Sequence, residues 1–297
     1  MAPSHPLRNG LLWALLGVLL FSFSVPLTKV AVTGFDPALT AVGRALIAGA
    51  MAVALLVANR VPPPARTHLR PLLFTALGAV FGWPILLALA LQRTTSAHAA
   101  VIAAFMPLTT ALIAVLRTHE RVSGQFWLAA GCGTAALVGF ALTRGGGQDG
   151  DLLADALVVG AVLASSWCYV EGASVTRSMP GWQVISWVVV LVLPVTLPAT
   201  VLLLWRSPPH ASAAAWASLV ALGVSSMYLG FFAWYRGLAQ AGIAIGGQVQ
   251  QLQALLTLVW SAWWLHEQVS PVTVATAVVV VGCVTWAVRA RRHPPEH

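Results

Sequence analysis

Acidic residues are scarce in this chain: 8 Asp and Glu among 297 residues, against 16 Lys and Arg. Charged residues make up 8% in all, where a soluble domain carries about 25%, and the mean hydropathy is +0.84. Such a surface cannot face water, which excludes a soluble globular protein. Cysteine is almost as rare. Cys132, Cys168 and Cys283 lie singly in apolar runs, an odd and scattered set that gives neither a disulfide framework nor a metal spacing. The sequence has no Ser/His/Asp grouping, no metal-ligand spacing and no phosphate loop. An enzyme, a metal site and a cofactor are therefore not expected. The net charge of +8 would suit nucleic acid if it clustered on a soluble face. It is instead spread through short gaps between apolar runs, so no nucleic-acid partner is expected.

Long apolar runs are what the chain has. A helix needs about 20 such residues to cross a bilayer. Ten runs qualify, near 10–30, 37–58, 70–92, 96–116, 124–142, 152–171, 182–205, 213–235, 241–265 and 271–289. They do not alternate apolar with polar residues, which predicts helices rather than barrel strands. The connections are short, with turn chemistry at Pro62–Pro64, Gly145–Gly147 and Pro208–Pro209, and leave no room for a soluble domain. The first run lacks a small-x-small cleavage site before Pro26 and is followed by nine others, so it reads as a span rather than a signal peptide. Counted from an inside N-terminus, eleven basic residues fall in the inside segments and four outside, with Arg44 within the second span. The positive-inside rule then puts both termini in the cytoplasm.

The chain also repeats itself. Arg117-Thr-His-Glu-Arg-Val-Ser123 returns as Trp264-Leu-His-Glu-Gln-Val-Ser270, an offset of 147 positions that lays spans 4 and 5 over spans 9 and 10. Each copy closes the fourth span of a five-span half, residues 1–145 and 150–290. Five is odd, so the halves enter the membrane from opposite sides, as in the inverted repeats of secondary transporters, whose substrate site lies between the halves. The expected fold is all-α and integral to the membrane, with ten transmembrane helices in two inverted five-helix repeats around a central cavity. The His-Glu pairs are not a zinc motif, because Ser123 and Ser270 stand where a second His is needed. Each Glu is instead expected to accept from backbone amides that begin the next helix.

This pattern resembles the drug/metabolite transporter superfamily, in its ten-helix EamA-type branch. The likeness rests on the paired segments Pro107–Glu120 and Ala254–Glu267. Ala254 departs from the proline usual there, so a kink is expected at Pro107 more than in span 9. The resemblance implies a bacterial inner-membrane exporter of small metabolites, and among its members the neutral and aromatic amino acid exporters look most similar. A drug or organic-cation exporter and a sugar-phosphate-type carrier are the alternatives.

Polar and aromatic groups at membrane depth are the candidates for substrate contact. Gln248, Gln250, Gln251 and Gln253 cannot all face lipid. Gln248 and Gln251 share one helix face and Gln250 and Gln253 another; one pair is expected to line the cavity, with Gln248 and Gln251 as its candidates. His98, Trp83 before Pro84, Trp167 between serines and cysteine, Tyr228 and Phe21 complete the set. Arg44 and Lys29 fit either a substrate carboxylate or a snorkelling or capping role, and Glu171 could neutralise one of them. No carboxylate is expected deep in a span, which points away from coupling to a proton gradient. The expected partners are a small-molecule substrate and the bilayer. Small-residue pairs such as Ala135/Gly139 are expected to pack within a monomer.

Overall fold

The computed structural model describes residues 5–118, 124–143, 151–241 and 243–291, and these are helical almost throughout, with no strand among the described residues. The first half contributes α1 (His5–Ser22), α2 (Ser24–Ala31), α3 (Pro37–Ala58), α4 (Arg66–Ala76), α5 (Trp83–Leu91), α6 (Ser96–Ala103), α7 (Met106–Thr118) and α8 (Gly124–Thr143). The second contributes α9 (Leu152–Val175), α10 (Gly181–Leu191), α11 (Leu193–Arg206), α12 (Ala213–Ala221), α13 (Gly230–Ala241), α14 (Ile243–Trp263) and α15 (Pro271–Arg291). Two π-helical segments, Leu77–Gly82 and Leu222–Leu229, join α4 to α5 and α12 to α13.

Helices occupy every run that the sequence marks as a span. Among the described residues six stretches are long and apolar enough to cross a membrane: Arg8–Ala31, Pro37–Ala58, Arg66–Leu91, Ser96–Arg117, Leu152–Val175 and Ala213–Gln240. A seventh is added if α10 and α11, bent by 52° at Val192 just before Pro194, count as one span.

Proline and local capping explain the breaks. The turn at Ala104–Phe105 separates α6 from α7 two residues before Pro107, whereas α14 runs unbroken through Ala254. At Trp83-Pro84 the helix does not stop. Proline lacks the N–H that an α-helix needs there, and the preceding turn widens to π-helix, so the span continues through it. Asp36 and Asp151 cap α3 and α9 by accepting from two backbone N–H groups each.

The halves interleave: α1 packs on α13 and α14, α3 on α10 and α11, α9 on α4, α5 and α7, and α8 on α15. Close approach is made by small residues. A Cβ on Gly237 would lie 2.5 Å from the backbone nitrogen of Ala14, so α1 and α13 touch backbone to backbone. The expected Ala135/Gly139 contact does not form: Ala135 is exposed and a Cβ on Gly139 would meet nothing within 4 Å. That face of α8 points away from the bundle, and α8 reaches α15 by its other side.

Candidate functional site

The largest apolar cluster among the described residues includes Phe21, Trp83, Tyr169 and Phe231. These rings wall a narrow cavity with Ser24, Arg44, Ser165, Ser226 and Gln253 as its polar members. A second cavity shares Met106 and Gln253 with the first and adds Gln250 and Thr257. The mixture of rings with a few convergent polar groups suits a small organic molecule.

Each wall has a local cause. Phe21 stands where α1 gives way to α2, edge-on to Phe231 at 5.0 Å and 6.2 Å from Tyr169. Trp83 follows directly on the first π-helical segment, and Ser226 lies within the second. Arg44, in the middle of α3 and 3% exposed, donates from Nη2 to Ser226 Oγ at 2.5 Å. No carboxylate pairs with it among the described residues, and its Nε has no partner. An unpaired buried cation is costly; it marks the place where a negative group is needed. In the second cavity Gln250 Nε2 donates to Met106 Sδ at 3.2 Å, while the Oε1 of Gln253 is buried without a donor.

Phe21 and Trp83 therefore reach the cavity. The remaining sequence candidates whose side chains are described line neither cavity. Gln251 turns to α15, where its Oε1 accepts from Thr285 Oγ1 at 2.5 Å, so the amides at the cavity are Gln250 and Gln253 instead. The side chain of Gln248 lies outside the described residues. Trp167 is 44% exposed on the outer face, with Phe74 as its ring neighbour. The correction follows from helix geometry: two positions along are about 200° around, so Ser165 faces the cavity while Trp167 faces away. Tyr228 is buried and shares a 2.8 Å hydrogen bond with Ser186, lining neither cavity. His98 is buried at the start of α6, with Nε2 2.6 Å from Asp155 Oδ1.

Carboxylates are more deeply engaged than expected. Asp155 meets His98 near the start of α9, and Glu171, almost fully buried near its end, pairs with Arg117 rather than with Arg44 or Lys29. Lys29 caps α5 and the following turn, donating to the carbonyls of Leu91 and Thr94 at 2.7 Å each. Arg93 pairs with Asp151 at 2.6 Å and, with help from the backbone amides that Asp151 caps, holds that carboxyl below the usual carboxylate range. Glu267 does cap a helix, but not the next one. It accepts from the N–H of Ser96 and Ala97, at 2.9 Å each, at the start of α6 in the other half. His266, with φ of 51°, makes the left-handed turn that ends α14 and aims Glu267 back across the bundle. Its partner in the repeat, Glu120, lies outside the described residues.

An all-helical bundle with membrane-length apolar stretches and an internal cavity of polar groups and rings is the architecture of a membrane transporter. The chain belongs to the EamA-like transporter family, whose sequence profile matches residues 8–142 and 152–289. It is 43% identical over 281 residues to the "Uncharacterized transporter YdeK" of Bacillus subtilis (strain 168), covering 95% of this chain and 97% of that protein. A solved crystal structure shares the fold, with a TM-score of 0.67 at 20% identity over 94% of this chain and 97% of its own.

Proposed function

We propose that this transporter exports small metabolites across the bacterial inner membrane by alternating access, with neutral and aromatic amino acids as its substrates. The observation that carries the reading is Arg44, a buried cation with no carboxylate partner among the described residues, in a cavity walled by four aromatic rings. One positive group suits one substrate carboxylate, and the rings suit an apolar or aromatic side chain. A cationic drug would meet repulsion there, and a phosphate would call for more than one basic group.

The architecture behind this proposal is ten spans in two inverted halves, with both termini cytoplasmic and the chain acting as a monomer. The arginine bias supports the orientation. The repeat gains support from the π-helical segments: at an offset of 147, Leu77 falls on Val224 and Gly82 on Leu229, inside the second segment. Transport is proposed to be facilitated rather than proton-driven, because no carboxylate lines either cavity among the described residues.

Counterflow in proteoliposomes tests the reading against a panel of neutral amino acids, sugar phosphates and cationic dyes. Exchange of phenylalanine, leucine or methionine, unchanged by an imposed pH gradient, is expected. Exchange confined to phosphorylated compounds or dyes would overturn the substrate class, and steep dependence on the gradient would overturn facilitation.

A further inference from the structure

Two polar atoms in the cavity lack partners, and they are of opposite kinds. Arg44 Nε is a charged donor and Gln253 Oε1 is an acceptor; both are buried, and both residues line the same cavity. A buried polar atom without a partner costs about 1–3 kcal/mol, more when it is charged, so a pair of them on residues lining one cavity points to a ligand with complementary ends. We infer that the cavity holds its substrate by both ends of a zwitterion, with the carboxylate on Arg44 and the ammonium on the side-chain carbonyl of Gln253. This rests on the transport reading of the same cavity and specifies how the substrate is recognised there.

The charge balance supports the assignment. Among the described residues that line the cavities Arg44 is the only ionisable cation, and no Asp or Glu stands with it. One carboxylate on the substrate neutralises the wall. The matching ammonium then meets a neutral amide carbonyl, which accepts a charge-assisted hydrogen bond without adding charge. Ser226 already fixes one end of the guanidinium, so the fork is held in place before the substrate arrives. The side chain of the substrate lies against the mutually packed rings of Phe21, Tyr169 and Phe231, whose centroids are 5.0–6.2 Å apart.

The arrangement also joins the two halves. Arg44 belongs to the first half, and Ser226 and Gln253 to the second. A zwitterion gripped at both ends bridges them, whereas a substrate with one charged end binds one half only. Only a ligand that interacts differently with two states can shift their populations; the zwitterion is such a ligand.

The test uses the full-length protein in proteoliposomes and compares three forms of phenylalanine, and of leucine, as counterflow substrates: the free amino acid, its amide and its des-amino acid. In the wild type, removing either charged group is expected to lower exchange roughly ten- to hundredfold, the worth of a hydrogen bond to a charged group. Arg44→Gln is expected to abolish the preference over the amide, and Arg44→Lys, which keeps the charge, to retain most of it. Gln253→Leu is expected to abolish the preference over the des-amino acid alone. Thermal melting of each purified variant separates lost recognition from lost folding. Wild-type exchange of all three forms at equal rates overturns the two-ended grip while leaving an amino acid transporter. Discrimination that survives in a folded Arg44→Gln or Gln253→Leu protein overturns the assignment of that end. Failure to exchange either free amino acid overturns the proposal together with the substrate class beneath it.

Discussion

Gln251 and Gln253 lie two positions apart on α14 and face opposite ways, and that separation divides structure from function. Gln251 bonds Thr285 on α15, and Gln253 lines the cavity with its carbonyl oxygen unpartnered. Gln251→Ala is therefore expected to cost about 1 kcal/mol of stability, read as a lower melting temperature in detergent, with transport retained per folded molecule. Gln253→Ala should do the reverse. Trp167→Ala, on the outer face, should leave exchange within about twofold, while Phe21→Ala should lower it several-fold by removing a ring from the cavity wall. The glutamine cluster was legible in the sequence because four amides in an apolar run cannot be accommodated by lipid. Its inward face was not, since the helical period offers two equivalent pairs and the choice depends on Thr285, 34 residues away. Arg44 was obscured for a related reason: an arginine in an apolar run is equally consistent with snorkelling until Ser226 is seen across from it.

At the level of elements, the π-helical turn before Trp83 owes its position to close packing as well as to Pro84. A Cβ on Gly78 would lie 2.3 Å from the carbonyl oxygen of Ala164, a backbone atom on α9 that cannot swing aside. Gly78→Val is expected to destabilise by about 1–3 kcal/mol and to displace Trp83 from the cavity, so that melting temperature and transport fall together. Glu267→Ala leaves two amides at the start of α6 without their acceptor. It should cost about 1–3 kcal/mol, whereas Glu267→Gln, which keeps one acceptor, should cost less. Acid acts on the Arg93–Asp151 pair in a definite direction. Because Asp151 is held below the usual carboxylate value, its contribution is complete above that value, about 3.9, and is lost only as pH falls through the depressed one. Melting between pH 5 and 8 should show no step from this pair, and Asp151→Asn should remove any that appears below pH 4. Sequence pattern indicated that Glu267 ends a span and caps a helix. It could not indicate which helix, because the cap crosses between the halves.

Over the whole molecule, α9 is held at both ends. Near its start Asp155 meets His98 of α6, and about 24 Å along, at 1.5 Å per residue, Glu171 meets Arg117 of α7. Between them Ser165 and Tyr169 face the cavity. Under the alternating access proposed above, these two pairs are expected to open in turn, so Asp155→Asn and Glu171→Gln should bias the protein in opposite directions. That the chain is helical and holds several membrane-length apolar stretches was readable from run length, since the bilayer sets a minimum that little else in a protein imitates. The closures were not, because each joins residues more than 50 positions apart. The central claim, a cavity reached alternately from each side, is tested most directly by a single cysteine at position 165 in a chain whose Cys132, Cys168 and Cys283 have been replaced. Labelled with a membrane-impermeant maleimide, Ser165→Cys should react from both faces of the membrane, slow at one face and quicken at the other with Glu171→Gln, and be protected by a transported amino acid. Reaction from one face only, in every variant and with or without substrate, would contradict the account.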